Sequence, residues 1–83
     1  MDNNFDELKK IFKRIKNISI NDSDKSKRII SDLKLESIDV AEFGDEIEKS
    51  FGINFLKAMR ENPASNLNPL NYSIEELLKL INK

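Results

Sequence analysis

The chain has 83 residues, a net charge of −1, no cysteine and no histidine. A length like this builds one small domain that buries little more than ~60% of its unfolded surface, which excludes a deep cleft between two lobes. The absent residue types exclude disulfides, thiolate chemistry and cysteine metal sites, and remove the commonest general base and metal ligand.

The charge is unevenly spread. Residues 1–35 carry +3, residues 36–50 carry −5 and residues 51–83 carry +1. A block of one sign on one element points to a partner of opposite sign, and the plain alternative is a solvated helix face. No apolar run approaches the ~20 residues of a membrane span, and none follows a basic start, so a soluble, cytoplasmic monomer without a membrane span is expected.

Helical periodicity dominates the chain. Phe5, Leu8, Phe12 and Ile15 recur at spacings of three and four, with Ile11 and Ile18 beside the stripe. Asn3 or Asn4 suits the cap of this first helix, and its outer face is basic through Lys9, Lys10, Lys13, Arg14 and Lys16. The polar stretch NISINDSDKSKR reads as a long loop, anchored by Ile18 and Ile20 and, further on, by Ile29, Ile30, Leu33 and Leu35.

A second helix is expected from about Ser37 to Ser50. Its apolar stripe is Val40, Phe43, Ile47 and Phe51, and Gly52 is suited to end it. The opposite face carries Ile38, Ala41, Glu42, Asp45 and Glu48. Gly44 falls mid-helix at a cost of about 1 kcal/mol relative to Ala, which close packing of another backbone would explain. Phe55, Leu56 and Met59 suggest a short helix broken at Asn62 and Pro63, and ENPASNLNPLN reads as loop.

The last helix has the clearest start. Ser73 and Glu76 form a capping box, Tyr72 and Leu77 fit a hydrophobic staple, and Ile74, Leu77, Leu78 and Ile81 form the buried stripe. No segment alternates with period two long enough for a strand, and no internal repeat is present. The expected fold is all-α: residues 1–83 as one small four-helix bundle, three main helices and a short one, with a long first loop.

Ser37 is the residue with chemical interest. A catalytic serine needs a base, and without histidine only Lys, Asp or Glu would serve, so the chain is not expected to be an enzyme. The two glycines, Gly44 and Gly52, form no phosphate-binding fingerprint, and the acids of the second helix lack calcium-loop spacing. Ser37 before a helix reads first as an N-cap, with Asp39 and Glu42 complementing the helix dipole. The same position favours a covalent phosphate, because the helix N-terminus stabilises an anion.

The wider pattern decides between these readings. KRIISDLKLESIDVAEFGDEIEKSFGINF closely resembles the acyl carrier protein family, in which a loop of the form D-L-x-L-D-S-L-D precedes a helix with a glutamate stripe ending in F-G-I. The matching residues are Asp32, Leu33, Leu35, Glu36, Ser37, Ile38, Asp39, Glu42, Glu48, Phe51, Gly52 and Ile53. Lys34 stands where glycine is common in the family. Glu36 replaces the common aspartate, and Gly44 and Asp45 replace apolar residues.

The resemblance implies a function. Ser37 would carry a phosphopantetheine arm, attached from coenzyme A by a phosphopantetheinyl transferase, with an acyl or aminoacyl group held on its thiol as a thioester. Glu36, Ile38, Asp39, Ala41, Glu42, Asp45 and Glu48 would meet basic docking patches on acyl-transferring, condensing or ligase enzymes of fatty acid, polyketide or related biosynthesis. The alternative is a carrier-like helical interaction domain in which Ser37 stays unmodified. A nucleic-acid module on the basic first helix is disfavoured by the acidic helix that follows and by the low aromatic content. No metal is expected.

Overall fold

Asn3–Lys16 forms α1 as its periodicity requires: Phe5, Leu8, Ile11 and Phe12 are buried along one side, and Lys13, Arg14 and Lys16 complement the carbonyl end. The structure, a computed structural model, describes residues 3–82. Asn3 and Asn4 lie inside the helix and do not cap it, and the position before Asn3 lies outside the described residues. Asn17 ends the helix with φ 56°, a left-handed conformation that asparagine tolerates better than most residues.

Residues 17–36 are the long loop, broken only by a 3-10 turn over Asp22–Asp24. It is polar outside but pinned inside by buried Ile20, Ile29 and Leu35. It is also sewn to the last helix. The Ile74 and Glu75 N–H groups, which a helix start leaves without intrahelical partners, donate to the Lys27 and Lys25 carbonyls at 3.0 and 2.9 Å. Asn71 Oδ1 accepts from the Ile30 and Ser31 N–H groups, and Arg28 bridges to Ser73 as an isolated antiparallel pair.

Three further helices complete the order: α2 over Ser37–Phe51, α3 over Phe55–Glu61 and α4 over Ile74–Ile81. Gly52 ends α2 at φ 68°, the left-handed geometry that glycine adopts without strain. Asn54 caps α3 by accepting from the Lys57 N–H at 3.1 Å. Residues 62–73 run as an irregular connection, and Tyr72 fastens it by donating its hydroxyl to the Asn62 carbonyl. Tyr72 is buried, and that burial, with the nearby Glu76 charge, raises its pKa.

The elements meet through a chain of rings. Phe12 of α1 lies 5.0 Å from Phe43 of α2, Phe43 lies 5.6 Å from Phe55 of α3 in an edge contact, and Phe55 lies 6.1 Å from Tyr72 before α4. Such pairs add about 0.5–1.5 kcal/mol each beyond their buried area. Gly44 faces this chain. A Cβ there would meet the Phe55 ring at 3.5 Å, an ordinary contact, so a side chain and not a backbone packs against it. The result is a small all-α bundle with no strand among the described residues. No described helix is long and apolar enough to cross a membrane.

Candidate functional site at the start of α2

The first turn of α2 departs from the sequence expectation at its cap. Ser37 is not the cap. Glu36 holds the N-cap position, with φ −95° and ψ 173°, and Ser37 is the first helical residue. The Glu36 N–H donates to Asp39 Oδ2 at 2.9 Å, so a carboxylate three residues on closes the helix start. The Ser37 hydroxyl is exposed and has no hydrogen-bond partner among the described residues.

Just upstream, Lys34 takes φ 63°. This left-handed geometry is why glycine suits the position, and a lysine there costs about 1–2 kcal/mol. The bend turns Leu35 into the core while Glu36 and Ser37 stay at the surface.

The expected recognition residues divide into two groups. Ile38 is 66% exposed, and Glu36, Ala41, Glu42, Asp45 and Glu48 are also exposed. The four acids among them form no ion pair with any described residue, and thus present a free negative surface. Asp39 does not belong with them. It is 8% exposed and turned toward α1, where Lys16 Nζ lies 2.9 Å from its Oδ2. Glu46 is likewise bound to Arg14 at 2.7 Å. The inner edge of α2 therefore neutralises part of the basic face of α1, through two of the six acids of residues 36–50.

These contacts move the titrations. The Asp39 carboxyl is held below its ordinary value, first by the Glu36 N–H and then by Lys16. The Lys16 ammonium is raised by its hydrogen bond to Asp39, which outweighs partial burial. Among the described residues no base touches Ser37, so none of them activates its hydroxyl. No group of three or more metal-ligating side chains converges among the described residues.

Two grooves meet at Ser37. One is lined by Ile30, Leu35, Ile38 and Val40, between the first loop and α2. The other, of about 380 Å³, runs between α2 and α3 past Ala41, Gly44, Phe55 and Leu56. Ser37, Val40 and Leu70 border both. Leu70 was not distinguishable as a site residue in the sequence, where it is one leucine in a Pro- and Asn-rich loop. Lys16 was legible only as one cation of a basic face. Comparison with family models, with curated proteins and with solved structures returned no match.

Proposed function

We propose that this chain is a carrier protein whose Ser37 accepts a phosphopantetheine arm. The observation that carries the reading is the state of that serine: exposed, unbonded and placed at the first residue of α2, where capping is done by Glu36 and Asp39. A serine needed for structure would be spent on the cap. This one is spare, and the positive end of the helix favours the phosphate that would be joined to it. The motif resemblance then supplies the chemistry.

In the loading step the Ser37 Oγ–phosphorus bond forms as the diphosphate P–O bond of coenzyme A breaks. The adenosine bisphosphate leaves, and the serine proton passes to a base on the transferase. The arm supplies a thiol that holds acyl or aminoacyl groups as thioesters. The groove between α2 and α3 offers apolar wall to a cargo, and Gly44 keeps it open. Exposed Glu42, Asp45 and Glu48 give basic partner enzymes a surface for fast, weak, salt-sensitive contacts. In this reading the protein is a cytoplasmic monomer and a substrate, not a catalyst.

The lack of cysteine provides a clean test. After incubation with coenzyme A, magnesium and a broad-specificity phosphopantetheinyl transferase, a thiol-reactive dye should label the repurified protein. It should leave untreated protein dark. A treated, folded protein that stays unlabelled would leave the unmodified interaction domain as the better reading.

A further inference from the structure

Ser37 is held from both sides without being touched. One oxygen, Asp39 Oδ2, accepts both the Glu36 N–H and the Lys16 ammonium, each at 2.9 Å. Glu36 precedes Ser37 directly and Asp39 follows two residues later, so the backbone on each side of the serine is tied to one joint. The other end of the joint is firm. Lys16 is the last residue of α1, a helix fixed by four buried apolar side chains. The pair is also sheltered, with the side chains 31% and 12% exposed.

We propose that Lys16 and Asp39 form a positioning pair that sets how Ser37 is presented to the modifying enzyme, and that Asp39 is no part of the docking face. The proposal rests on the carrier reading above. Two consequences follow from the geometry. The tie fixes the first turn of α2 against α1, and with it the backbone that carries Ser37, which matters because small errors in the placement of a nucleophile are costly. The ammonium also offsets the Asp39 charge close to where a phosphodiester anion would be attached. The depressed Asp39 and raised Lys16 titrations agree with a pair that stays charged.

Transferase kinetics on the full chain test this, comparing wild type, Lys16→Met, Lys16→Arg and Glu42→Gln where circular dichroism shows each folded. Lys16→Met should lower the kcat of loading about five- to tenfold while KM stays within about twofold. Lys16→Arg should recover most of it. Glu42→Gln, on the exposed face, should instead raise KM at low salt and leave kcat alone.

Wild-type kcat in Lys16→Met, or a loss confined to KM that salt removes, would overturn the proposal. A wild type that cannot be loaded would overturn the carrier reading instead. Hydrogen exchange then judges the pair alone: Lys16→Met should speed exchange of the Glu36 amide about tenfold relative to amides of α4. An unchanged rate would overturn the pair as well.

Discussion

The chain starts two helices with the same device and uses its serines in opposite ways. At α4, Ser73 is the N-cap: it is 7% exposed, its Oγ accepts the Glu76 N–H at 3.1 Å, and the Glu76 carboxylate accepts the Ser73 N–H at 3.0 Å. Arg28, from the first loop, braces that carboxylate at 3.0 Å. At α2 the corresponding places belong to Glu36, Asp39 and Lys16, and the serine stands one residue further along. Shifting the serine by one position removes it from the cap and puts its hydroxyl in solvent. The Ser37 hydroxyl is unbonded because Glu36 and Asp39 occupy the cap.

Alanine at the two serines should separate the helix starts most clearly. Ser37→Ala should abolish loading and change the unfolding free energy by less than about 0.5 kcal/mol, because no capping bond is lost. Ser73→Ala should leave loading intact and cost about 1 kcal/mol in urea unfolding, because a buried cap is lost. If the two variants were equally destabilised, the assignment of the caps would fail.

Backbone substitutions sharpen the contrast around α2. Lys34→Gly should raise stability by about 0.5–1 kcal/mol by relieving the left-handed lysine, read as a higher urea midpoint. Gly44→Ala should stabilise by up to about 1 kcal/mol, since the new methyl meets Phe55 at an ordinary distance. A destabilised Gly44→Ala protein would show that the α2–α3 contact is tighter than 3.5 Å implies.

The two braced carboxylates predict a shared acid response. Asp39 and Glu76 both titrate below their ordinary values, each led by the N–H of its own helix cap. A depressed folded pKa means that the stabilisation is present above the unfolded value, near pH 4, and is lost as pH falls through the folded one. Asp39→Asn should therefore flatten the acid limb of stability against pH, and an unchanged limb would count against the pair. Lys16 is raised, so its contribution is complete below the unfolded lysine value, about 10.4, and fades as pH rises through the folded one. The smallest effect belongs to Asp45→Asn, which should slow transferase encounter a few-fold at low salt and not at high salt.

Much of this architecture was legible in the sequence. The stripes of α1, α2 and α4, the Ser73 box, the Gly52 stop and the long loop all rest on local periodicity and capping chemistry, which neighbouring residues determine. The illegible parts depend on distant contacts. Asp39 looked like a surface acid because only its pairing with Lys16, 23 residues earlier, turns it inward. Glu46 was hidden in the same way by Arg14. Ser37 looked like a cap because serine is a favoured N-cap residue, and the competing box of Glu36 and Asp39 shares its spacing. The gap at Gly44 was visible, but its neighbour, Phe55, was not, since α2 and α3 meet only after the chain turns at Gly52.

If the carrier reading holds, Ser37 takes the arm and the serine of the α4 cap does not. The decisive measurement is intact mass of wild type, Ser37→Ala and Ser73→Ala after incubation with coenzyme A, magnesium and a broad-specificity transferase. Wild type and Ser73→Ala should each gain one phosphopantetheine, and Ser37→Ala none. A gain on Ser37→Ala, or none on folded wild type, would contradict that reading.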